Sequence, residues 1–258
     1  MKTLQFFFDT RVECSAPVIE HQFVLRCRPR PGEGQQVVQC RTVMEPDVPL
    51  FEQRDGFGNV VLWGTVLAPH TALHYRTEGV VRVDAAQSAA PAPNPAYRYP
   101  GPRTRPGPEL RARTAAWNLE GLAPPELCRR LCGAVHGAMR YEPGTTGVRT
   151  TAEQALAQGC GVCQDAAQIF AAAARLHGLP VRYCVGLTVG EGATHAWPEV
   201  YYDGAWHGFD PTRGRLTDES YLRLAVGRDA ADCPVESGVF KGLCDQTQTV
   251  FMKVEEIS

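Results

Sequence analysis

A chain of 258 residues is long enough for one large domain or two ordinary ones, with a core that needs no disulfide scaffold. Hydrophobic residues at 44%, charged residues at 21% and a net charge of −2 are those of a soluble globular protein and give no basic field for nucleic acid. No stretch is long enough to span a membrane, and the apolar run at the start is broken by Asp9 and Arg11, unlike a secretory leader, so a cytoplasmic location is expected.

The first third alternates as strands do. Phe23, Leu25 and Cys27 fall on one face, Val81 and Val83 flank Arg82, and the turn signal Asp55-Gly56-Phe57-Gly58-Asn59 precedes Val60-Val61-Leu62-Trp63. With no helical period before residue 84, residues 1–84 are expected to form a small antiparallel β-sandwich. Residues 85–105 shift to alanine and proline, which suits a linker and neither a regular helix nor a central strand.

Residues 106–258 read as a second unit. Pro124-Pro125 suits a helix start, and Leu127, Leu131, Val135 and Met139 follow at helical spacing. Thr150 as N-cap with Glu153 three positions on predicts a capping box, and Gly178-Leu179-Pro180 predicts a helix stop. Strand-like runs then follow from Val181, Thr194 and Ala205. A helical layer followed by an antiparallel sheet is an α+β arrangement.

The ten cysteines are scattered rather than packed into a short framework, so reduced thiols are expected, with Cys27, Cys40 and Cys184 as small core hydrophobes. Cys163 stands apart. In G-C-G-V-C-Q-D, residues 159–165, it falls where a glycine-broken loop meets a helix, and a helix start stabilises a thiolate. Three other readings compete: an inert buried thiol, a redox pair with Cys160, and a zinc site with Cys160 and His207. The thioredoxin-like βαβ context of a redox pair is absent, and the zinc spacing matches no usual pattern.

Asp203-Gly204 is a two-residue hairpin signal that sets Tyr202 opposite Ala205, Tyr201 opposite Trp206 and, by counting back, Trp197 opposite Asp210. His195, two residues from Trp197, then becomes a diagonal neighbour of Asp210 on the same face. Pro198 removes a ladder donor and favours an edge or a bulge, which would disturb that register. An imidazole oriented by a carboxylate needs a nucleophile to complete a triad, and a thiol at a helix start facing the sheet supplies one.

The segments G-C-G-V-C-Q-D-A-A, G-L-P-V-R-Y-C-V-G, T-H-A-W-P-E-V-Y and W-H-G-F-D-P-T resemble the core of the transglutaminase-like superfamily, in particular its bacterial cysteine protease branch. G-R-D-A-A-D-C-P at 227–234 and D-G-F-G-N at 55–59 resemble further signatures of that branch. The resemblance implies a papain-like fold with a triad carried here by Cys163, His195 and Asp210. Where relatives often carry an aromatic residue and a histidine after Q-D, this chain has Ala166, Ala167 and Gln168.

The expected activity is acyl transfer through a Cys163 thioester, with hydrolysis of a peptide or related amide preferred to transglutamination; an idle binding module is the reading from another class. Trp197 and Trp206 are expected to wall the substrate site, and Tyr141 is the candidate second oxyanion donor. The Cys163 N–H is the first donor. No cofactor, metal, nucleic acid or membrane is expected, no calcium-loop pattern is present, and the oligomeric state is left open.

Overall fold

The structure, a computed structural model, describes residues 1–85 and 90–257. Its first sheet begins with β1 (Lys2–Leu25), β2 (Gln35–Glu45), β3 (Phe51–Arg54), β4 (Val60–Val66) and β5 (His70–Val83). β1 runs through both leaves of this unit. Its first half pairs with β5, and after a shift between Glu13 and Val18 its second half pairs with β4. Leu4, Phe6, Phe8 and Val12 alternate into the core, as a half-buried strand requires.

The second half supplies α1 (Pro108–Ala116), α2 (Pro124–Ala138), β6 (Arg140–Tyr141), α3 (Ala152–Gln158), β7 (Cys160–Gly161) and α4 (Cys163–Leu176). Then come β8 (Val181–Thr188), β9 (Gly190–Gly192), β10 (His195–Tyr202), β11 (Ala205–Asp210), β12 (Arg215–Leu216) and β13 (Tyr221–Gly227). The chain ends in β14 (Glu236–Lys241) and β15 (Gln246–Glu256). A five-stranded sheet in the order β12-β11-β10-β8-β13 carries α4 on one face. Leu187, Leu222 and Leu224 of this sheet close the core of the first sheet. β8 and β13 are therefore buried along their whole length, since both faces are covered. The run Ala171–Ala174 is fully packed, and its small side chains let α4 lie close to the strands. No helix among the described residues is long and apolar enough to cross a membrane.

Two expectations change. The unit expected at 106–258 does not keep its own C-terminus: β14 and β15 hydrogen-bond to β1, and β9 to β15, so the last strands complete the first sheet. The helix cap also moves by one residue. Thr151, with Gln154, caps α3, while Thr150 Oγ1 accepts the Gly147 N–H in the preceding turn. Glu153 turns to α1 instead and accepts the N–H groups of Gly107, Glu109 and Leu110, where an orphan helix start attracts a carboxylate.

Of the expected linker, residues 86–89 lie outside the described residues. The remainder is a packed strap. Pro95–Arg98 form a short 3₁₀ turn whose Tyr97 is buried between Phe57 and Trp206. Asp229 accepts the Arg103 N–H at 2.7 Å. The partly buried Arg175 guanidinium ties the carbonyls of Tyr97, Val181 and Arg228 together.

Two side-chain amides join the halves. Asn59, from D-G-F-G-N, donates to the Val226 carbonyl at 2.7 Å and accepts the Val226 N–H at 2.8 Å. Gln35 does the same to Arg223, at 2.8 Å in both directions. Each carboxamide takes the place of a neighbouring strand along the open edge of β13.

Candidate active site

The spacing of G-C-G-V-C-Q-D follows from how α4 begins. Gly159 ends α3 at φ 71°, a left-handed position that favours glycine. Gly161 lies so close to the next turn that a Cβ there would stand 2.5 Å from Asp165 Oδ2. That oxygen accepts the Val162 N–H at 2.8 Å and the Thr146 hydroxyl at 2.6 Å, capping the helix start from inside. Cys163 follows as the first helical residue and is partly exposed. Its N–H lies in the first turn, where α-helical geometry offers no intrahelical acceptor.

His195 and Asp210 come together from adjacent strands. Asp203 and Gly204 both have positive φ, as a tight hairpin turn requires, and Tyr202–Ala205 and Tyr201–Trp206 pair as expected. The ladder stops at Glu199–Gly208, next to Pro198, so Trp197 is not paired with Asp210. The diagonal meeting survives the loss of that rung. His195 Nε2 lies 2.7 Å from Asp210 Oδ2, leaving Nδ1 for the thiol, and His195 stacks on Trp197 at 6.3 Å.

Asp210 is fully buried and accepts the Tyr221 hydroxyl at 2.7 Å and the Arg213 N–H at 3.1 Å. Burial opposes its ionisation, yet the His195 hydrogen bond and charge, with Tyr221 and Arg213, hold its carboxyl below the usual range. Burial likewise opposes a charge on His195, but hydrogen bonding to Asp210 and Cys163 wins and raises the imidazole to about 9. Cys163 and His195 line the same cleft, and the thiol adds to the raised imidazole. A thiol and an imidazole held this way can exchange a proton, and the buried carboxylate favours the imidazolium.

Cys163 and His195 open into a cleft of about 600 Å³. Tyr141 lines it beside Cys163 and is 60% exposed. Tyr183, Ala230, Cys233 and Val235 form another part of the wall, so G-R-D-A-A-D-C-P helps to shape the cleft. Trp197 and Trp206 do not line it, contrary to the expectation that they wall the substrate site. Trp197 is fully buried behind His195, its indole N–H drawn to Glu199 at 3.2 Å. Trp206 packs edge-on to Tyr97 and Tyr201 with the Arg182 guanidinium 4.2 Å over its ring. Both rings are held by the buried Arg182–Glu199–Arg223 cluster, in which Glu199 is lowered to about 2: burial opposes its charge and the two guanidinium groups outweigh it.

All ten cysteines are free thiols. Cys160 is buried, and its sulfur accepts from Gln158. His207 stacks on Tyr202 at 3.8 Å and is not among the cleft residues, so it does not join Cys160 and Cys163. Cys128 and Cys132 are core residues of α2. Among the described residues no group of three or more His, Cys, Asp or Glu side chains could hold a metal ion.

Sequence reasoning missed Tyr221 and Arg213, which hold Asp210, and the contribution of the first sheet to the cleft through Phe8, Thr10 and Tyr75. Arg213 lies in the turn just after F-D-P-T and could have been suspected from proximity. Tyr221 carries no such signal, because its meeting with Asp210 depends on how β13 is placed in the sheet.

Comparison with known proteins agrees with this fold. Residues 113–211 match the transglutaminase-like superfamily core, and residues 4–82 match the bacterial transglutaminase-like N-terminal region. The chain is 30% identical to an uncharacterized protein of Mycobacterium leprae over 84% of its own length and 85% of the relative's. It is 27% identical to an uncharacterized protein of Mycobacterium tuberculosis, covering 82% of this chain and 79% of the relative. A crystal structure of a "putative cysteine protease" from Cytophaga hutchinsonii superposes with a TM-score of 0.79 at 20% identity, covering 100% of this chain and 91% of that one, which shows a shared fold. The match to both regions, in order, and to a relative of the same extent places the fold and the chain together: this protein belongs to the transglutaminase-like superfamily.

Proposed function

We propose that this protein is a thiol-dependent acyl-transfer enzyme that hydrolyses a peptide or related amide. The observation that carries the reading is the meeting in one cleft of Cys163, at the start of α4, with His195, whose Nε2 is held 2.7 Å from the buried Asp210. Cys163 Sγ attacks the amide carbonyl carbon, and the carbonyl electrons move to the oxygen, which the Cys163 N–H faces. His195 passes its proton to the leaving nitrogen as the C–N bond breaks, leaving a thioester and a free amine. Water then attacks the thioester, His195 takes its proton, and the thiolate departs as the acid is released. Asp210 keeps the imidazole oriented and stabilises its charge throughout. Tyr141, which lines the cleft with Cys163, is our candidate for the second oxyanion donor.

The Cytophaga hutchinsonii neighbour, at 20% identity, lends its printed description to this reading and nothing on substrate. Ten free thiols suit a reducing compartment, and we place the protein in the cytoplasm. The test is turnover of a peptide and amide library by wild type and Cys163→Ala, with a labelled primary amine present at millimolar concentration. Free acid should dominate over amine incorporation in wild type, and the variant should be inactive. Turnover by Cys163→Ala sinks the thioester mechanism, whereas predominant amine incorporation makes the enzyme a transglutaminase.

A further inference from the structure

The cleft beside Cys163 has a second wall that the acyl-transfer steps do not use. It comes from the first sheet and includes Thr10 of β1, Tyr75 of β5, Glu236 of β14 and Gln248 of β15. Glu236 is partly exposed to the cleft, and Gln248 Nε2 donates to its Oε2 at 3.2 Å. Among the described residues it forms no ion pair. Burial pushes its carboxyl up, with Tyr75 and Gln248 as the neighbours that oppose the shift and no cation among them. Arg103 and His195 also line the cleft; Arg103 is bonded through its backbone N–H to Asp229, its Nε is buried without a hydrogen-bond partner, and neither residue is among the groups that act on Glu236.

The two hydroxyls beside this carboxylate are equally unprovided for. Thr10 Oγ1 and Tyr75 Oη are buried, in residues 0% and 1% exposed, and neither has a hydrogen-bond partner. Tyr75 lies near both Thr10 and Glu236 without a well-formed bond to either. A buried polar atom left unpaired costs roughly 1–3 kcal/mol, and a half-buried carboxylate without a cation adds to that cost. One kind of ligand removes all three shortfalls. An alkylammonium brings a positive charge and three N–H donors, and Glu236, Tyr75 and Thr10 offer three acceptors.

We propose that Glu236, with the hydroxyls of Tyr75 and Thr10, forms a subsite for a protonated primary amine, so that the enzyme selects a lysine-like group in the cleft next to the thiol. As a statement about substrate choice it rests on the acyl-transfer reading; as a statement about binding it does not. The binding test therefore uses Cys163→Ala protein, with dansylcadaverine and its N-acetyl derivative as probes and fluorescence anisotropy as the readout. The free amine should bind about tenfold tighter than the acetylated probe, and Glu236→Gln, checked for folding by thermal unfolding, should make the two equal. Equal binding of both probes, or a preference that persists in Glu236→Gln, overturns the subsite. The comparison in the Glu236-containing protein decides even if Glu236→Gln fails to fold. Because no nucleophile is present, an inactive wild type would defeat the acyl-transfer reading and leave this result standing. With the active enzyme, a preference for lysine over norleucine in the acyl peptide places the amine on the donor. A Glu236-dependent use of cadaverine with a lysine-free donor places it on the incoming acceptor.

Discussion

One carboxylate oxygen, Asp210 Oδ2, takes 2.7 Å contacts from both His195 Nε2 and the Tyr221 hydroxyl, deep enough that Asp210 has no solvent exposure. The imidazole is therefore oriented by a group that is itself fixed. Arg213 and Arg215 in turn donate to the Tyr221 oxygen, at 3.1 and 3.3 Å.

Asp210→Asn should keep the hydrogen-bonding shape and lose the charge that favours the imidazolium. Acylation is expected to slow by about 10²-fold or more, by analogy with triads in which the carboxylate is neutralised. Single-turnover acylation and the rate of Cys163 alkylation should fall together. Tyr221→Phe, which removes one of two short bonds to Oδ2, should give a smaller loss. Unchanged kinetics in Asp210→Asn would remove Asp210 from the reaction.

The raised imidazole also ties stability to pH. His195 titrates at about 9 in the folded protein, above the ordinary histidine value, so the folded state binds this proton more tightly than the unfolded chain. Its contribution is complete below about pH 6.5, where both states are protonated, and is lost as pH rises through about 9. Asp210 has the opposite sign: its depressed carboxyl contributes at neutral pH, and that contribution disappears as acid protonates it. Urea unfolding at pH 6, 7.5 and 9.5 should show wild type losing on the order of 1–3 kcal/mol across the alkaline interval, with a flatter profile for His195→Gln. Equal wild-type stability at pH 6 and 9.5 would contradict the paired imidazolium.

Thiol reactivity should single out Cys163. Burial pushes Cys128 and Cys132 up to about 12, Cys40 to about 11, and Cys184 and Cys233 well up. Cys27 is raised for the same reason, and Cys160 is buried. Of the other partly exposed thiols, Cys14 lies on β1 and Cys244 in the loop between β14 and β15, whereas Cys163 adjoins an imidazole and a helix start. Iodoacetamide at pH 6, followed by peptide mass mapping, should mark Cys163 first. Faster labelling of Cys14 or Cys244, with Cys163 protected, would refute the nucleophile assignment.

The parts of the site fixed by short-range chemistry were legible in the sequence. Asp203-Gly204 set the hairpin, the hairpin set His195 near Asp210, and the glycines around Cys160 announced the start of α4. The parts that depend on long-range burial were not. Trp197 and Trp206 have the right strand phase to wall a site, but phase does not reveal that Glu199 and Arg182 draw them into the interior. Likewise, nothing in the alternation of β15 indicates that it pairs with β1 across 11 consecutive rungs and so helps to build the cleft from the far side. Thr150 and Thr151 are equally good caps by residue type; Thr151 takes the cap with Gln154, while Thr150 bonds Gly147 and Glu153 binds the start of α1.

The last prediction concerns the join between the halves. Asn59 is fully buried and satisfies both the N–H and the carbonyl of Val226, while its own N–H and side chain bond Asp55 at 3.0 Å. Asn59→Ala would leave both Val226 groups unpaired inside the protein, at a cost of about 2–4 kcal/mol for two unmet hydrogen bonds. Asn59→Asp should be at least as damaging, because its carboxylate can accept the Val226 N–H but faces the Val226 carbonyl with no donor, and it also meets Asp55. Urea midpoints measure both effects. Since the cleft is walled from the first sheet as well as the second, the variants should also raise KM for any substrate that reaches Tyr75 and Glu236 before they lower kcat. A loss of stability without any change in KM would mean that the two sheets keep their spacing without Asn59.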